Sequence, residues 1–182
     1  MARYTTVDKL TFSSDAISAL GTGLSAGTSN LAAMANSGTA GYFGGGYVSG
    51  YVATVDKFAF PGDGRSTLGT GLSAARSGVR GMANSGTAGY FAGGSTGSNV
   101  ATVDKFAFPG DGRSTLGTGL SAAIRDLGGM ADSGTAGYFG GGYSFVDTVD
   151  KFAFSDDSRT TLGTGLSAAT SDLAGFANSG TL

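Results

Sequence analysis

Apolar and polar residues alternate with a period of two through Ala53–Phe60. Thr54, Asp56, Phe58 and Phe60 fall on one face, and Val55, Lys57 and Ala59 on the other. That alternation, with β-branched and aromatic side chains, predicts a β-strand. Around it the chain reads as a four-strand unit: strand one over 29–38, strand two over 39–46, strand three over 53–60 and strand four over 65–73. The intervening segments NSGT, GGG and PGDG are turn formers, with glycine supplying positive φ and Pro61 and Pro109 presetting a turn entry. No long segment repeats apolar residues at i, i+3, i+4 with helix caps. The nearest, SAARSGVRGMA and SAAIRDLGGMA, carry glycines that each cost a helix up to about 1 kcal/mol against alanine. The predicted class is all-β.

The unit recurs. TVDK begins at Thr6, Thr54, Thr102 and Thr148, and GTGLS at Gly21, Gly69, Gly117 and Gly163, with spacings of 48, 48 and 46 in both series. SGTAGYF begins at Ser37, Ser85 and Ser133, and residues 54–75 and 102–123 are identical. Such self-similarity marks a repeat architecture. The chain is read as one repeat domain over 1–182: a strand three–four half-unit at 1–28, full units at 29–76, 77–124 and 125–170, and a terminal strand at 171–182.

Composition narrows the chemistry. The chain has no cysteine and no histidine, so it offers no thiolate nucleophile, imidazole base or His/Cys metal site. A net charge of −2 provides no field for nucleic acid or an anionic membrane. No apolar run approaches the ~20 residues that span a bilayer, and no secretion signal opens the chain. The 40% apolar content and fixed phasing argue against disorder despite 35 glycines.

The glycines that close strand two stand in Gly-Tyr-Phe-Gly-Gly-Gly at 41–46 and 137–142, and in Gly-Tyr-Phe-Ala-Gly-Gly at 89–94. A Val-Asp-Lys-Phe strand follows each. In these features the chain resembles the kelch repeat of β-propellers, with one departure: Leu68, Leu116 and Leu162 stand about where kelch repeats carry a tryptophan. The resemblance implies a propeller of four-stranded blades, about four repeats of 46–48 residues; a β-solenoid or intertwined fibre is the alternative. The texture is also similar to glycine-rich, near-identical repeats of bacteriophage tail-fibre-associated proteins. That similarity implies a non-enzymatic structural or adhesive part of a virion, its tail or fibre, made in a host cytoplasm and released by lysis. A free, cytoplasmic glycan- or protein-binding module is the alternative.

The chain enters the repeat at strand three, so Leu173–Gly180 is expected to join the first two strands in a composite fourth blade that lacks a strand two. Open backbone edges of this kind invite pairing with another chain. The expected partners are further copies or other virion proteins, with a host surface glycan or protein as the recognised target; a trimmed fragment is the competing explanation.

The copies differ from one another in two places. The strand two–three loops read YVSGYVA, STGSNVA and YSFVD, and the strand four–one segments read AGTSNL, AARSGVR, AAIRDL and AATSDL. In an antiparallel meander both emerge on one face. Tyr47, Tyr51, Arg76, Arg80, Asn99, Arg125, Tyr143 and Phe145 are the candidate binding residues there, aromatic and Arg side chains being enriched at interface hot spots. Neutral drift of surface loops gives the same pattern. Asp8, Asp56, Asp104 and Asp150 recur once per unit and read as hydrogen-bond acceptors for a turn, since a hard cation wants several converging oxygens. Asp63, Asp111 and Asp156 read as turn formers. No catalytic residue, metal or cofactor is assigned, and a polysaccharide hydrolase is disfavoured because no Asp/Glu pair stands outside the repeated positions.

Overall fold

A computed structural model describes residues 3–175. The described residues form strands and no helix, so no helix is long and apolar enough to cross a membrane. β1 (Asp8–Thr11) and β2 (Ala16–Ala19) form a hairpin. Three four-stranded antiparallel sheets follow, each a meander. The first holds β3 (Ala32–Asn36), β4 (Ala40–Gly44), β5 (Val55–Ala59) and β6 (Gly64–Thr67). The second holds β7 (Arg80–Asn84), β8 (Ala88–Ala92), β9 (Val103–Ala107) and β10 (Gly112–Thr115), and the third β11 (Gly128–Asp132), β12 (Ala136–Gly140), β13 (Val149–Ala153) and β14 (Arg159–Thr161). The same register recurs: Phe43 pairs with Asp56, Phe91 with Asp104 and Phe139 with Asp150.

Strand four is shorter than its sequence suggests. It ends at Thr67 where 65–73 is expected, because Gly69–Ser73 leaves the sheet and crosses towards the next one. Gly71 lies so close to the Ala53 carbonyl that a Cβ there would sit 2.1 Å from its oxygen. Leu72 is then buried between the first and second sheets. The terminal strand expected over 171–182 lies, beyond Gly175, outside the described residues.

Apolar side chains are buried between sheets, not in one central core. Met34, Tyr42, Val55, Leu72, Val79, Phe91 and Phe106 pack the joint between the first and second sheets. Met82, Tyr90, Val103, Leu120, Ile124, Phe139 and Phe152 pack the next. Each joint is a knob in a hole: a Cβ on Gly89 would lie 2.2 Å from the Met34 sulfur, and one on Gly137 2.0 Å from that of Met82. This is the nearest-neighbour energetics of a stacked repeat.

Polar contacts repeat with the same phase. Lys57 Nζ donates to Asp111 Oδ2 and Lys105 Nζ to Asp157 Oδ2, both at 2.6 Å, as Lys9 Nζ does to Asp63. Backbone bonds run from unit to unit, Gly78 N to Asn30 O, Asp126 N to Gly78 O and Asp172 N to Asp126 O. At the opposite end of the strands Gly86 N donates to Asn36 Oδ1 and Gly134 N to Asn84 Oδ1. The near-constant NSGT turn is therefore a unit-to-unit contact. Successive sheets placed with their first strands side by side are compatible with a propeller-like fold.

A buried phenol bonded to one of the turn carboxylates also sets a pH limit. Tyr42 Oη donates to Asp111 Oδ1 at 2.7 Å, and its ring stacks on Phe108. Burial first, and then the bond to Asp111, push the Tyr42 phenol up from 10.0 to about 12. The protonated phenol is thus favoured in the folded chain. Its contribution is complete below pH 10 and is lost as the pH rises towards 12. Stability followed by circular dichroism is expected to fall over that window, and Y42F is expected to flatten the fall.

Candidate functional site

The strand two–three loops and the strand four–one segments do share a face. Isolated bridges tie Ser29 to Tyr47, Ser77 to Ser95 and Val146 to Thr170, joining the two segments in each unit. Tyr47 and Tyr51 bridge across their own loop, as Ser95 and Asn99 do in the next. The Tyr47 and Tyr51 rings meet edge to face at 5.6 Å, and the Arg3 guanidinium lies 5.1 Å from the Tyr47 ring centre. In the third unit Arg125 stacks over Tyr143 at 3.9 Å while its Nε reaches Asp126 Oδ2 at 3.2 Å. Tyr143 and Phe145 are exposed, and Phe145 holds φ = 55°. Positive φ is strained for a bulky side chain and here turns the ring outward on a loop two residues shorter than the others. An exposed aromatic beside a stacked guanidinium can take a planar or sugar-like ligand by stacking and hydrogen bonding.

Two of the expected surface residues are elsewhere. Arg76 is fully buried. Its Nη2 donates to Asp104 Oδ2 at 2.9 Å and to the Phe91 carbonyl at 3.2 Å, while Nε and Nη1 make no hydrogen bond within the protein. Burial pulls its pKa below the ordinary guanidinium value, with Asp104 opposing the shift. The crossing segment turns this side chain into the following sheet, so divergence at position 76 is a change of interior filling. Arg80 begins β7 and donates from Nε to the Leu127 carbonyl. It lines a cavity of about 340 Å³ with Leu31, Ala33, Gly129 and Leu173, where the first strands of successive units meet. The candidate face is therefore Tyr47, Tyr51, Asn99, Arg125, Tyr143 and Phe145.

The recurrent carboxylates are structural acceptors. Asp56 Oδ2 accepts from Ser25 N and Oγ, Asp104 Oδ2 from Ser73 N and Oγ, and Asp150 Oδ2 from Ser121 N and Oγ. Each Ser belongs to the GTGLS of the preceding unit. Among the described residues no group of three or more acidic side chains could hold a metal ion. In the third unit Asp157, not Asp156, occupies the place of Asp63 and Asp111: it has φ = 59°, and its carboxylate takes the bonds from Lys105 and Tyr90. Asp156 instead accepts from the Ser158 backbone N–H. The chain matches no known protein family, and no curated protein matches it.

Proposed function

We propose that the chain is a kelch-like propeller module serving as a non-enzymatic structural or adhesive part of a larger assembly, a bacteriophage tail or fibre. The observation that carries this reading is the state of its end faces. Positions buried at the inner joints are open at the ends. Met130 is 39% exposed where Met34 and Met82 are buried, and Phe12 is 87% and Phe60 42% exposed where Phe108 and Phe154 are buried. The two faces carry the halves of one joint. The third sheet offers Tyr138 and Lys151, and the hairpin offers Phe12 and Asp15, whose φ of 53° matches that of Asp63. Beside the hairpin an apolar cavity of about 270 Å³ lies over Gly41, Phe58 and Phe60, where the inner joints seat a Met knob and a stacked Tyr.

Complementary faces on one molecule associate head to tail, closing into a ring or extending as a fibre. Light scattering of the purified chain is expected to give a defined multiple of 17.8 kDa, and K151E is expected to reduce it. A single-chain mass for the unaltered protein would overturn assembly between copies. The exposed Tyr143 ring and the half-buried Arg125 stacked on it favour a second reading, a module whose loop face binds a host glycan. Saturable glycan binding lost in Y143A would support that reading.

A further inference from the structure

The side chain that leaves the crossing segment at position 28, and at its counterparts 76 and 124, enters the joint ahead of the next sheet. The three joints share the crossing segment, the GTGLS serine and the recurrent aspartate, and differ in the occupant at this position. In front of the second sheet Arg76 fills the space and ends on Asp104 and the Phe91 carbonyl. In front of the third sheet Ile124 fills it with hydrocarbon, leaving about 40 Å³ beside Ser121, Phe139, Val146 and Asp150. In front of the first sheet the occupant is Thr28, whose hydroxyl donates to the Ala26 carbonyl. There a cavity of about 290 Å³ remains, lined by the counterparts Ser25, Phe43, Val52 and Asp56.

Asp56 at the end of this cavity is prepared as Asp104 is. It is 4% exposed. Its Oδ2 accepts from Ser25 N and Oγ at 2.8 Å, and its Oδ1 from Thr67 Oγ1 at 2.6 Å. Asp104 takes the same three bonds, from Ser73 N, Ser73 Oγ and Thr115 Oγ1, and still accepts Arg76 on Oδ2. The outer cation is also matched: Arg65 Nη1 lies 3.6 Å from Asp56 Oδ1, and Arg113 Nη1 3.7 Å from Asp104 Oδ1. Among the polar partners of the carboxylate, only the inner guanidinium differs. We propose that the cavity at Thr28 is a binding site for an alkylguanidinium cation, seated as Arg76 is in the next joint.

The chemistry follows from the occupied copy. A buried carboxylate gains most from a charge-assisted donor, and a weakly hydrated planar guanidinium is desolvated more readily than an ammonium. The alkyl stem would lie along Leu24, Leu31 and Val52, which line the same cavity. The cation could be a free small molecule or an arginine side chain of another protein.

Calorimetry and amide NMR with N-butylguanidinium, against the isosteric neutral N-butylurea, test the site. Saturable one-to-one binding is expected, with amide shifts at Thr28, Val52 and Thr54 and an affinity at least tenfold above that of the urea. T28I, which copies the filling of the third joint, is expected to abolish binding while the chain stays folded. T28R, whose side chain copies Arg76, should also abolish it. A Gly-Gly-Arg-Gly-Gly peptide that binds as well as the free cation makes the source a partner's arginine; binding of the free cation alone makes it a small molecule. Equal binding of guanidinium and urea, or unchanged binding by T28I, overturns the proposal.

Discussion

Asp104→Ala is expected to destabilise the chain by about 3–5 kcal/mol, while Arg76→Ile at the other end of the same pair leaves it unchanged or more stable. The asymmetry comes from what each substitution leaves behind. Without Asp104 the Arg76 guanidinium stays fully buried with only the Phe91 carbonyl as partner, since its Nε and Nη1 are already unbonded. The Ser73 N–H and hydroxyl and the Thr115 hydroxyl lose their acceptor in the same step. Without Arg76, Asp104 keeps all three of those bonds, and Ile124 in the third joint shows that the space accepts an isoleucine. For a chain of this size each kcal/mol moves the melting point by roughly 2–4 °C, so Asp104→Ala should melt about 10 °C early. Chemical denaturation of D104A, R76I and the double variant completes a cycle. The double variant is expected to recover part of the loss, because it removes the orphaned cation. Asp150→Ala, which strands no fully buried cation, should cost less than Asp104→Ala. Equal losses at the two positions would mean that the buried pair has no special weight.

The sequence carried the strand pattern well, because a period of two and Gly-rich turns are local signals that tertiary packing here does not override. The alternation of Val55–Ala59 and the Ala40–Gly44 strand fall within the expected ranges. What was not legible belongs to the joints between units. Gly69–Ser73 has strand-like composition, but its backbone is taken up in crossing to the next sheet. Constancy of the NSGT turn reports contacts made 48 to 50 residues away, and that of the GTGLS serine contacts made 29 to 31 residues away, which no local pattern reveals. Variation among copies picks out loops whose Tyr51, Tyr143 and Phe145 are exposed. Arg76 shows the limit of that signal. Variation also arises where an interior space can be filled in several ways, by Thr28, Arg76 or Ile124, and only the direction in which the segment turns its side chain separates the two cases. The cavity beside Thr28 has no sequence signature for the same reason: its defining feature is a side chain shorter than its counterparts.

Gly81→Ala is expected to cost about 3 kcal/mol, the upper part of the usual range for overpacking. A Cβ on Gly81 would lie 2.2 Å from the Ala33 carbonyl oxygen and 2.9 Å from its carbon, and both atoms belong to the backbone of β3. The clash cannot be relieved by a rotamer. β7 must move away from β3, opening the joint that buries Phe91 and Val79. The same approach recurs from Gly129 to the Gly81 carbonyl and from Gly175 to the Gly129 carbonyl, at 2.6 and 2.7 Å for an added Cβ. The exposed Ala33 holds the corresponding place in the first sheet. Gly89→Ala is the informative comparison. Its Cβ would meet the sulfur and terminal methyl of Met34, the far end of a flexible side chain that can turn aside, and would lie 3.0 Å from the Phe108 ring. It should cost less than half as much as Gly81→Ala, and Gly69→Ala, with open space around the added carbon, should be close to neutral. Thermal unfolding followed by circular dichroism ranks the three. Because stability in a stacked repeat is a sum over neighbouring joints, Gly81→Ala should also broaden the transition, the hairpin and first sheet melting ahead of the second and third. A uniform downward shift with unchanged sharpness would instead mean that the sheets unfold as one unit despite the weakened joint.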